Sequence, residues 1–163
     1  MKQAAAKTSL EIRIITLMVL LGTAAFLVAS AFDLWFLAPS AFVGLVSVLC
    51  YLFAPVSYEL SGGRLTVFSR VGRREFGPVV GCSQVPERIP FATIRLLGNG
   101  GLFAGTGIFW NRTYGVFRAY VTSSRHADMV LVETETRKIL ISPEDPKTFV
   151  EPWGAPSRVM GPA

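Results

Sequence analysis

The sequence predicts an α-helical transmembrane hairpin joined to an all-β domain that a C-terminal helix caps. Three observations predict it. From Ile14 to Phe53 the chain is almost unbroken apolar sequence with a single charge, Asp33. After Pro55 the hydrophobic period changes from helical to alternating. Near the end, Ser142-Pro143-Glu144-Asp145 holds the parts of a helix start. The resulting boundaries are a cytoplasmic leader at 1–13, the two-helix hairpin at 14–53, the β domain at 54–153 and a flexible tail at 154–163. Hydrophobic residues make up 51% of the chain and mean hydropathy is +0.46, too high for a wholly soluble domain and fitting for one third membrane, two thirds globule.

The leader, MKQAAAKTSLEIR, sets Lys2, Lys7 and Arg13 against Glu11. The two apolar halves, IITLMVLLGTAAFLVASAF and LWFLAPSAFVGLVSVLCYLF, each give roughly 30 Å of helix, enough to cross a hydrocarbon core. Backbone groups in lipid must be paired within the segment, which selects helix, and Asp33 marks the turn. Ala29-Ser30-Ala31 also resembles a signal-peptidase site, so a cleaved secretory signal is the alternative reading of the first half. The length of the apolar stretch and the immediate second segment favour the hairpin. Basic residues lie before the first span and again after the second, at Arg64, Arg70, Arg73 and Arg74. The positive-inside rule then predicts a multi-pass protein of the inner (plasma) membrane with both termini and the β domain cytoplasmic.

Small residues suggest how the spans pack. Gly22, Ala25 and Ala29 share one helical face, Ser40, Gly44 and Ser47 another, and in an antiparallel hairpin the two sets lie at matching depths. Trp35 and Tyr51 suit the interfacial aromatic belt.

In the β domain, VSYEL, the Ser61-Gly62-Gly63 turn and RLTVFSR read as a hairpin. Gly77 to Pro90 reads as a long loop with one short strand and with Cys82 exposed to reagents. Further strands are expected around Ile94 to Leu97, in GVFRAYVT with Phe117, Ala119 and Val121 inward, in MVLVETE with Val130 and Val132 inward, and in KILIS with Ile139 and Ile141 inward. Ser142 should cap the closing helix with Pro143 at its first position. Phe149, Val150 and Trp153 should give that helix an apolar edge.

Chemistry-bearing signals are sparse. Gly98, Gly100, Gly101, Gly105 and Gly107 do not match the dinucleotide or P-loop spacing and read as turn and bulge glycines. His126 is the only histidine, and Ser123, Ser124, His126 and Asp128 crowd one loop instead of surrounding a nucleophile. Glu133 and Glu135, two apart, read as a solvent edge. Asn111-Arg112-Thr113 is a formal glycosylation sequon, inert on a cytoplasmic domain. Cys50 and Cys82 suggest neither a disulfide nor a metal site. The expectation is a non-enzyme without cofactor or metal. From Ala54 to Arg125 there are nine Arg against three Glu, so the membrane-proximal half is the basic one. Arg64, Arg70, Arg73 and Arg74 are accordingly the candidate contact for anionic lipid or a partner, and nucleic acid is disfavoured because no exposed aromatics interleave them.

The order of these elements resembles a known family. Two N-terminal spans, YELSGGRLTVFSR, IPFATI, the glycine-rich GNGGLFAGTGIF, GVFRAYVT and KILISPEDPKTFV look like membrane-anchored bacterial PH-like domain proteins, over Val56 to about Pro152. The resemblance implies two nearly orthogonal antiparallel sheets of seven strands, forming a partly open barrel plugged by the C-terminal helix, and no general activity. The function expected on this basis is a membrane-anchored interaction module that binds a protein partner or organises a homo- or hetero-oligomeric membrane complex. The alternative is a sensor of anionic lipid headgroups.

Overall fold

The computed structural model describes residues 2–31, 33–85 and 93–153. The expected tail at 154–163 and the Pro86–Pro90 part of the expected loop lie outside them. Strand β1 (Lys2–Ala4) precedes helix α1 (Leu10–Ala29), a single 3₁₀ turn (Leu34–Phe36) and helix α2 (Leu37–Phe53). Nine strands follow: β2 (Pro55–Ser61), β3 (Arg64–Ser69), β4 (Arg73–Phe76), β5 (Val79–Gln84), β6 (Thr93–Gly100), β7 (Gly105–Asn111), β8 (Gly115–Val121), β9 (Val130–Thr134) and β10 (Lys138–Ile141). Helix α3 (Pro146–Val150) and a 3₁₀ turn (Glu151–Trp153) close the described chain.

Among the described residues, α1 is the helix long and apolar enough by length and composition to cross a membrane, with Glu11 and Arg13 near its start, and α2, at 17 residues, is shorter and carries no charged residue. Both leave large apolar side chains uncovered, among them Met18, Leu21, Val28, Phe42 and Leu45. The helices meet through Ser40 and Ser47, which are buried and whose hydroxyls donate back to Leu37 and Val43 carbonyls. The glycines do not form the close approach expected of them: a Cβ at Gly22 or Gly44 would meet nothing within 4 Å, and Ala25 is exposed. Of the six expected residues, Ser40 and Ser47 are the buried ones.

The β domain consists of a four-stranded sheet in the order β1-β2-β3-β4 and a six-stranded sheet in the order β5-β9-β10-β8-β7-β6. In the β2–β3 turn Gly62 and Gly63 both have positive φ, as a two-residue hairpin turn of the right twist demands. Between the sheets lies the main core, built from Tyr58, Leu65, Val67, Val130, Val132, Ile139, Ile141 and Phe149. The inward residues expected on β9 and β10 are all in it. A second cluster, with Phe117, Ala119, Met129 and Leu131, covers the other face of the larger sheet. Phe117 and Ala119 are thus buried as expected, but against this second cluster, while Tyr120 faces the main core.

One pairing departs from the all-antiparallel expectation: β10 lies parallel to β8 and antiparallel to β9. The reason is the 122–129 connection, which carries the chain past the neighbouring position before β9 begins, so that the tight β9–β10 turn folds β10 back into the gap. Alternation fixes which face a side chain takes and leaves the partner strand open.

The helix start is also shifted. Asp145, not Ser142, caps α3, accepting from the Lys147 and Thr148 amides at 3.1 and 3.3 Å, and Pro146 holds the first position. Ser142 is consumed inside the domain, where its Oγ accepts the Thr122 amide at 2.8 Å. The hydrogen bonds from Thr148 and Lys147 hold the Asp145 carboxyl below its ordinary range.

Cys82 corrects another expectation. It sits on β5 in the main core with 7% exposure, and burial pushes its thiol up to about 12. Maleimide should therefore leave Cys82 unlabelled near pH 7 in the folded protein, even after lysis, and label it fully in denaturant. Mass spectrometry of the peptide checks this; rapid native labelling would mean that β5 is not seated.

Candidate functional site

The glycine-rich stretch resolves into a clamp on the helix bases. Asn99 organises it: its Oδ1 accepts the Gly101 and Leu102 amides, and its Nδ2 donates to the Leu102 and Ala104 carbonyls. This presents Phe103, at φ 63, so that its amide donates to Thr16 Oγ1 at 3.0 Å and its ring meets Tyr51 edge-on at 5.3 Å. On the other side of Tyr51 lies Arg70, with its guanidinium 4.0 Å from the ring centroid and Nη1 donating to the Tyr51 carbonyl at 3.1 Å. Arg13 borders the same recess. The glycines serve backbone packing and docking, not a phosphate cradle.

The four predicted arginines do not form one cluster. Arg70 lies at the helix base. Arg64 is at the far end of β3, six residues away or roughly 20 Å along an extended chain, with its stem over Gly77. Arg73 and Arg74 alternate across β4: Arg73 pairs with Glu75 at 3.5 Å in an exposed contact, while Arg74, opposite Val67, turns towards the larger sheet and donates to the Tyr120 hydroxyl at 3.3 Å. There it meets two arginines that the sequence reading passed over, Arg118 of β8 and Arg137 of the β9–β10 turn, around one recess. The available signal was Arg118 itself, a charge on the same face of β8 as the buried Tyr120.

The other loop signals resolve locally. Ser123 Oγ donates to Asp128 Oδ2 at 2.6 Å and Ser124 Oγ donates to Ser9 Oγ at 3.1 Å, so these side chains clip the loop and form no triad. His126 borders a mostly apolar recess of about 330 Å³ between the second cluster and the base of α1. Glu133 pairs with Lys138 at 3.6 Å, whereas Glu135 lies in the turn beyond β9, so the two do not act as a carboxylate pair. Asn111 is buried, its Oδ1 accepting the Thr113 amide at 2.6 Å in the β7–β8 turn.

The six-stranded sheet ends in β6, whose outer edge carries Ile94, Leu96 and Leu97, all more than half exposed. Ile94 continues across the sheet through Trp110 and Val116, its register partners, as an exposed apolar row. A family model described as bacterial PH domain matches residues 56–153. No curated protein and no solved structure matches the chain.

Proposed function

Because the chain belongs to the bacterial PH domain family, we propose that it is a membrane-anchored interaction module whose β domain stands at the cytoplasmic face and holds a protein partner. The observation that carries this reading is the β6 edge. Among the described residues the outer edge of this eight-residue strand has no ladder partner, and it lies beside an apolar row, the surface that an extended partner segment covers by adding a strand. The partner is accordingly a protein with a β-prone segment that alternates apolar side chains.

Anchoring is supported by the uncovered apolar surface of α1 and α2. The pairing of β1 with β2 adds to it: a chain that leaves one folded body and returns to it crosses a bilayer an even number of times, which favours two spans. Arginines and lysines on the domain side favour the cytoplasmic face.

The test is purification of the full chain in mild detergent beside an Ile94→Lys/Leu97→Lys variant. Wild type should retain a stoichiometric protein that the variant loses at unchanged melting temperature. Wild type that purifies without any protein companion would overturn the reading. A second reading, anionic lipid, is favoured by one observation: Arg13 and Arg70 border one recess with Tyr51 at the helix base. Retained anionic lipid, lost on Arg70→Gln, would support it.

A further inference from the structure

We propose that the open seam between the two sheets is a binding site for a soluble phosphate-bearing ligand, with Arg74, Arg118 and Arg137 as its cations. Where β4 crosses over β8 and the β9–β10 turn, the sheets share no ladder among the described residues. The gap is a recess of about 440 Å³. Three guanidinium groups from three separate elements border it, together with Thr134 and Thr136.

Three like charges around one recess repel one another, and the usual remedy is a carboxylate. Among the described residues none lies within 4.0 Å of these three arginines. Glu75, which also borders the recess, is engaged by Arg73 at 3.5 Å, and Glu133 by Lys138 at 3.6 Å. One cation and the backbone that carries another are held in place. Arg74 donates to Tyr120 Oη, and the Tyr120 ring packs on Phe76 at 5.7 Å. Thr134 Oγ1 donates to the Arg137 carbonyl at 2.8 Å and accepts its amide at 3.1 Å, fixing the turn that carries Arg137.

Guanidinium groups with no carboxylate partner match the tetrahedral oxyanion best, because each planar fork can bind two oxygens at once. The volume admits a phosphate with an attached organic body. Arg118 lies four residues along β8 from Thr122, where the strand meets the start of α1, hence about 13 Å from the helix junction. That depth favours a ligand from solution over a headgroup in the bilayer that holds the helices. The site is separate from the recess at Arg13 and Arg70, whereas Arg74 and Arg118 also border a neighbouring recess that reaches Leu97 of β6 and Phe53 at the end of α2.

The test uses the full chain in detergent micelles with inorganic pyrophosphate as the probe, at constant ionic strength set by chloride. Calorimetric titration should show saturable binding by wild type and affinity at least about tenfold weaker in Arg118→Gln/Arg137→Gln, as loss of charge-assisted hydrogen bonds requires. Arg112→Gln, in the exposed β7–β8 turn away from the recess, should bind as wild type does. A second arm uses vesicles containing a phosphorylated inositol lipid. Binding to the vesicles but not to pyrophosphate, lost in the double variant, would keep the cations and overturn the soluble source. Absence of binding in both arms, or binding that the double variant retains, would overturn the site.

Discussion

Gly107→Ala should abolish stable folding of the β domain. Gly107 faces Gly98 across the β6–β7 ladder, both with φ in the range that favours glycine. A Cβ on Gly107 would stand 2.1 Å from the Leu97 carbonyl oxygen and 2.8 Å from Gly98 Cα. Both obstacles are backbone, so relief requires breaking the ladder rather than turning a side chain. The expected loss is about 4 kcal/mol or more, a large share of the stability of a domain this size. Gly72→Ala is the control, since its Cβ would meet nothing within 4 Å. Denaturant unfolding of both variants in detergent checks the pair; equal midpoints would show that β6 and β7 are not in this register.

Phe149→Ala should be the most damaging side-chain truncation in the closing helix. Phe149 is 1% exposed and inserts from α3 into the main core beside Tyr58, Val132 and Ile139. Deleting a ring from such a site removes its transfer energy and leaves a cavity, together about 3–5 kcal/mol. Val150→Ala, on a partly buried neighbour, should cost far less. A midpoint for Phe149→Ala within error of that for Val150→Ala would mean that α3 rests on the sheets without plugging them.

Much of this architecture was legible because burial writes a period into the sequence. Val130, Val132, Ile139 and Ile141 alternate, and each is fully buried. The β2–β3 hairpin announced itself through two glycines that its turn requires. What escaped depends on contacts between distant residues. Strand β10 pairs in parallel with β8 because of a loop path, which no local pattern encodes. Ser142 has the composition of a cap but serves Thr122, twenty residues away. Strand β1 is too short to show a period. The arginine set was read from nearness in sequence, whereas a strand separates adjacent residues onto opposite faces. Arg73 and Arg74 therefore part company, and Arg74 joins Arg118 and Arg137 instead.

The N-terminal segment has a consequence for the timing of assembly. Its strand pairs with Ser57 to Glu59, Ala5 bridges to Pro143, the Ala6 amide donates to the Ser142 carbonyl, and the Glu144 amide donates to the Ala4 carbonyl. Residues 2–6, which precede the domain in the chain, are thus clasped in part by residues 142–144 at its far end. At ordinary synthesis rates the wait for residues 142–144 is on the order of ten seconds. The clasp sets only when residues 142–144 arrive. A bulky fusion ahead of Lys2 would hinder that final step while leaving every earlier pairing intact.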